Sequence, residues 1–113
     1  MKKTKKDFDR IQAGQIYEII DDSFFTTGEA SVISSSPKRP VNLLKGEKIE
    51  IRYPYEWHFR TIDNKYYHCE PEMIEKHCKP YGIIWENVRF GNSCKLEEIL
   101  RLNLFTKIKH LSN

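Results

Sequence analysis

No stretch of the 113 residues approaches the roughly 20 consecutive apolar positions that a membrane-spanning helix requires. A secretory signal is not expected either. The basic start, Lys2, Lys3, Lys5 and Lys6, runs into Asp7 and Asp9 instead of an apolar stretch. Cysteine is scarce: Cys69, Cys78 and Cys94 are odd in number and carry no disulfide-like spacing, which points to a reducing compartment and a cytoplasmic location. The glycine-rich patterns GxGxxG and GxxxxGK are absent, so dinucleotide-binding, P-loop and kinase chemistry are excluded. The basic-aromatic signature of an RRM is not matched, and there is no internal repeat. The excess of positive over negative charge is small too. A net +3 and a pI near 8.7 fall below the strongly basic balance of a dedicated nucleic-acid domain.

What is present describes a small globular chain. Hydrophobic residues at 39% and charged residues at 31% suit one folded domain with a modest core. The expected division is a flexible basic segment at 1–12, a single α+β domain at 13–106 and a frayed tail at 107–113. The charge is uneven. The first twelve residues are basic, and the acidic Glu18, Asp21, Asp22 and Glu29 follow. Lysine and arginine dominate again from Lys38 to Lys65. Such a dipolar surface can steer a charged partner within the roughly 10 Å that salt leaves unscreened.

Periodicity supplies the elements. GQIYEIID (Gly14 to Asp21) reads as a strand entered through a glycine turn, and FFTTGEASVIS as two short strands turning at Gly28. SSSPKRP is a loop by its prolines and serines. In EKIEIRY, Ile49, Ile51 and Tyr53 alternate with Lys48, Glu50 and Arg52, the pattern of a half-buried strand. Pro54 interrupts it, and Tyr55, Trp57 and Phe59 resume the alternation. In the second half, Pro71 suits a first helical turn, with Met73, Ile74, His77 and Cys78 on one face before Pro80 and Gly82 stop it. GIIWENV reads as a further strand and RFGN as a turn. A second helix, capped by Asn92 or Ser93, carries Leu96, Ile99, Leu100 and Asn103. These elements predict a small α+β domain: a strongly bent antiparallel sheet, SH3-like or OB-like, with two short helices in the C-terminal half. A flatter sheet carrying the Leu96 helix on one face is the alternative.

Asp63-Asn64 has residues that tolerate a left-handed backbone, so a two-residue hairpin turn is expected there. That turn would oppose Arg60 to Tyr67 and Phe59 to His68. Paired residues share a face. Trp57, Phe59, Thr61, Tyr66 and His68 would then be neighbours inside, while His58, Arg60, Lys65 and Tyr67 would share the wet face with Ile62. Arg60 could stack on Tyr67 there.

That charged face, with Arg52 beside it, and Lys38 and Arg39 in the proline-serine loop are the candidate contact residues. Arginine offers a planar fork to phosphate or carboxylate, and tyrosine can stack on a base. The expectation is a non-enzymatic binding module for nucleic acid or for a protein that handles it, without cofactor and away from membranes. A protein–protein adaptor or inhibitor using the aromatic hairpin and the acidic 18–29 segment is the alternative.

Zinc is disfavoured. His68-Cys69 and His77-Cys78 lack the short Cys-x2–4-Cys or His-x3–5-His step, and adjacent helical residues diverge by about 100°. A nuclease would need His58, His68 or His77 as base, Glu70 or Glu72 as acid and Arg60 as stabiliser. In the expected register His58 and His68 point apart, which counts against it. Cys94 beside Lys95 could be a reactive thiol, though a plain cysteine reads better.

Overall fold

The computed structural model describes residues 12–25, 28–29, 42–53, 58–91 and 94–108. The loop with Lys38 and Arg39, the segment Pro54 to Trp57, and residues 1–11 and 109–113 lie outside them.

The centre is β1 (Gln15–Ile19), bracketed by β5 (Lys48–Tyr53) and β8 (Cys78–Ile84), both antiparallel to it. The remaining strands are β2 (Phe24–Phe25), β3 (Gly28–Glu29), β4 (Asn42–Leu43), β6 (His58–Thr61), β7 (Tyr66–His68) and β9 (Phe105–Lys107). Seven of them form one sheet in the order β3-β7-β6-β5-β1-β8-β9, and β2 and β4 pair separately. The sheet is open: its edges, β3 and β9, do not pair with each other, so the closed barrel anticipated above does not form. The α+β class and the antiparallel pairing are as expected.

β1 explains why the sheet stays open and thick. Tyr17 and Ile19 are buried on one face, and Ile16 on the other. Hydrophobic cover is therefore needed on both sides. On the first face, Tyr17, Ile19, Ile49, Ile51, Phe59 and Tyr67 pack with Phe24 and Leu43 of the small sheet and with Ile74. Ile74 belongs to α1 (Pro71–His77), which starts on a proline as the sequence suggests and ends at Cys78, the first residue of β8. On the second face, Ile16 and Ile84 meet Leu96 and Ile99 of α3 (Leu96–Arg101). Each such side chain, fully buried, contributes about 1.5–3 kcal/mol.

Three helices, not two, occur among the described residues. Glu86–Gly91 is helical (α2), where the sequence suggested the end of a strand and a turn. Gly28 lies in β3, which pairs with β7 rather than turning back on β2. α3 also stops earlier than its apolar stripe implied. Asn103 adopts φ 55°, its N–H bonds the Leu100 carbonyl, and the Leu104 N–H reaches the Ile99 carbonyl at 2.9 Å. This is a Schellman closure, with Asn103 in the left-handed position and Leu104 packed back on the same apolar cluster as Ile99. At its start, the Lys95 N–H is accepted by the Glu98 carboxylate; Asn92 and Ser93 lie outside the described residues.

Two glycines are required by contact. Gly14 has φ 95°, and a Cβ there would come within 2.8 Å of Arg89 Cδ. At Gly82 a Cβ would meet the Phe105 ring at 2.5 Å, so the close approach of β9 to β8 depends on that missing atom.

The β6–β7 hairpin departs from expectation by one residue. The Asn64 N–H bonds the Thr61 carbonyl, and the Thr61 N–H bonds the Lys65 carbonyl at 2.9 Å. Asn64 alone in this turn has positive φ, at 64°. These are the marks of a type I turn followed by one left-handed residue, a three-residue loop. Thr61 Oγ1 donates to the Asp63 carboxylate, which stabilises the turn without a second left-handed residue. The pairs are therefore His58 with His68, Phe59 with Tyr67 and Arg60 with Tyr66. A slip of one residue moves every β7 side chain to the opposite face.

Candidate functional site

The register correction rearranges the expected contact face. Phe59 and Tyr67 now share the inner face, ring centroids 6.1 Å apart, and Phe59 also meets Phe24 edge-on at 5.9 Å. Tyr67 is only 6% exposed. Arg60 is also 6% exposed and lies on the other face, so it neither stacks on Tyr67 nor presents its guanidinium to solvent. The wet face expected to join His58, Arg60, Lys65 and Tyr67 does not form. Rings go inside as anticipated for Phe59; the charge of Arg60 goes inside as well.

Its burial has a clear cause. Arg60 stands directly opposite Glu50 in the β5–β6 ladder, and Glu50 is completely buried. Arg60 Nε donates to Glu50 Oε1 at 2.6 Å, and Arg52 Nη1 donates to Oε2 at 2.8 Å. The other two Arg60 nitrogens donate to Asn64 Oδ1 at 3.0 Å and to the Cys94 carbonyl at 2.9 Å. One guanidinium thus ties together β5, the hairpin turn and the chain leading into α3. Desolvating such a pair is expensive, and only full hydrogen bonding of this kind makes it tolerable. The sequence made Glu50 look like the wet side of a strand. Its position opposite Arg60 was the signal that could have corrected this.

The other expected contact charges are partly spoken for. Arg52 leans on Glu50 with its side chain about one-fifth exposed, and Lys65 lies 3.7 Å from Asp63, both largely exposed. Within the acidic stretch, Glu18 faces Lys48 at 3.9 Å and Lys79 at 3.7 Å. Asp21 receives His77, the last residue of α1, with Nδ1 at 2.9 Å from both carboxylate oxygens. That hydrogen bond, helped by the Ser23 N–H, holds the Asp21 carboxyl below its ordinary value. A depressed carboxylate favours the folded state above the unfolded pKa near 3.9. The contribution disappears as acid protonates Asp21 in the native protein.

The same register that buries Tyr67 brings His58 and His68 together. They are directly opposed, each half-buried, with Nε2 atoms 3.2 Å apart and ring centroids 4.1 Å apart. Counting outward from the Thr61–Lys65 bond, the alternation of an antiparallel ladder makes this a closely spaced pair. The expectation that these two histidines point apart is thus overturned. Among the described residues, no group of three or more His, Cys, Asp or Glu is arranged around a common point for a metal ion.

The three cysteines are free thiols in contrasting surroundings. Cys69 is buried, and burial, with a smaller push from Glu70, raises its pKa to about 12. Cys78 is buried at the start of β8, and Cys94 is half-exposed. Only the thiolate reacts. A disulfide reagent at pH 8 should therefore modify Cys94 rapidly, with Cys69 and Cys78 following only on unfolding. Mass mapping that finds Cys69 modified as fast as Cys94 would refute this ordering.

Comparison with protein-family models, with curated proteins and with solved structures finds no match to this chain.

Proposed function

We propose that this protein is a small binding module whose partner is another protein, met at the β8–β9 end of the sheet. One observation carries the reading: Ile83 and Trp85 stand 43% and 46% exposed where β8 ends. Alternation along the strand turns both to one side. Trp85 prolongs the ladder, its N–H bonded to the Leu104 carbonyl, and exposed Thr106 lies opposite Ile83. Tryptophan is among the side chains that most often dominate the energy of protein contacts. Beside it β9 is a sheet edge, flanked only by β8 among the described residues, and an edge can accept a further strand.

Nucleic acid is the competing partner, and the internal pairing of Arg52, Arg60, Lys48 and Lys79 counts against it. That reading now rests on Lys38 and Arg39, on the exposed Lys45 and Lys65, and on the two basic tails. Two assays on the full chain separate the readings. Wild type and the double variant Ile83→Thr/Trp85→Ser, matched for thermal stability, are used to capture proteins from native lysate at two salt concentrations. Both are then titrated with generic RNA and DNA. A discrete protein retained by wild type at both salts and lost by the variant supports the proposal. Equal capture by both, or steeply salt-dependent nucleic-acid binding indifferent to the substitutions, would overturn it.

A further inference from the structure

We infer that His58 and His68 form a two-imidazole seat for a divalent transition-metal ion of the zinc class. The pair sits at β6–β7, on the far side of β1 from the proposed docking end, so the inference stands apart from that reading. The nitrogen spacing is that of two ligands on one ion. With metal–nitrogen bonds of 2.0–2.1 Å, two imidazole nitrogens lie about 2.9 Å apart at a right angle and about 3.3 Å apart at a tetrahedral one. The Nε2–Nε2 distance here is 3.2 Å.

The rings would have to swing apart to ligate, because two imidazoles on one ion hold their centres about 4.5–5.2 Å apart. A head-on N–H···N hydrogen bond would separate the ring centres by the bond plus both ring radii. Here the centres, at 4.1 Å, are scarcely farther apart than the nitrogens, and the planes are inclined at 62°. The two rings meet in an inclined contact, and opening it would let both Nε2 atoms turn to one ion. Adjacent strands supply what a chelator needs, since the backbone ladder fixes the spacing before any ion arrives. Imidazole selects zinc, copper or nickel over calcium and magnesium, which prefer oxygen. Two protein ligands leave further coordination positions for water or for a donor brought by another molecule, so the affinity is modest and the site is open to exchange.

The test uses the metal-free full chain and zinc chloride as probe, read by calorimetry and by the melting temperature. Wild type should bind one equivalent with micromolar affinity and melt higher, while magnesium and calcium leave it unchanged. His58→Gln and His68→Gln should each weaken zinc binding at least tenfold; His77→Gln, which alters the separate contact with Asp21, should not. Should either variant fold poorly, nitrogen-15 spectra of the wild-type imidazoles decide. Zinc must then shift both Nε2 resonances of this pair together. No binding at a tenfold excess of zinc, binding unaffected by both substitutions, or a shift confined to His77 would overturn the inference.

Discussion

Replacing Arg60 with methionine should lower the unfolding free energy by about 3–5 kcal/mol, the cost of leaving a buried charge without its partner. Glu50 is completely buried and would keep only Arg52, whose side chain is the more exposed of the two arginines. The Cys94 carbonyl and Asn64 Oδ1 would lose their donor in the same step. Urea unfolding should show the loss as a lower midpoint at an unchanged slope. The companion variant distinguishes a costly orphan from a stabilising bridge. Glu50→Leu combined with Arg60→Met removes both charges, and it should recover much of the loss because an apolar pair pays no desolvation penalty. If Arg60→Met alone proves neutral, the guanidinium is not sealed against Glu50 as described.

Phe59→Ala should cost about 3–5 kcal/mol, as large aromatic truncations in a packed interior do. Phe59 is fully buried in the middle of β6, where its ring meets Phe24 of the small sheet and Tyr67 of β7. Its removal opens a cavity between two sheets that cannot both relax into it. Ile62→Ala, three residues away at the exposed tip of the hairpin, should stay within about 0.5 kcal/mol of wild type. A comparable loss for the two would mean that the hairpin faces were assigned wrongly. Thermal melts of the pair provide the comparison.

Much of the architecture was legible because burial on one face leaves a strong period. EKIEIRY announced β5 through Ile49 and Ile51, and Phe59 announced the inner face of β6. The Leu96 stripe announced α3. That the sheet stays open was not legible. Whether a bent sheet closes depends on what covers its second face, and Ile16 and Ile84 reveal that only once α3 is seen packed on them. The candidate contact face was missed for a local reason. Asp63-Asn64 serves a two-residue turn and a three-residue turn almost equally well by residue type. The choice is made by Thr61 and by the single left-handed residue Asn64. That one-residue difference exchanged Tyr67 for Tyr66 as the neighbour of Arg60 and brought His68 beside His58.

The pattern has a functional consequence. The protein buries Arg60 against Glu50 and pairs Lys48 and Lys79 with Glu18, so part of its basic character serves its own fold. Among the charged residues of the described surface stand exposed apolar side chains: Ile62, Ile83, Trp85 and Leu102, with Phe25 of β2 and Leu44 just after β4. Exposed aromatic and aliphatic side chains beside a strand edge suit contact with a protein better than contact with a phosphate backbone.

The hairpin register carries the burial of Tyr67 beside Phe59, the contact of the two histidines and the loss of the expected charged face. Inter-strand backbone NOEs in the nitrogen-15-labelled protein measure it most directly. A three-residue turn predicts cross-peaks linking Arg60 to Tyr66 and His58 to His68. Cross-peaks linking Arg60 to Tyr67 and Phe59 to His68 instead would contradict it.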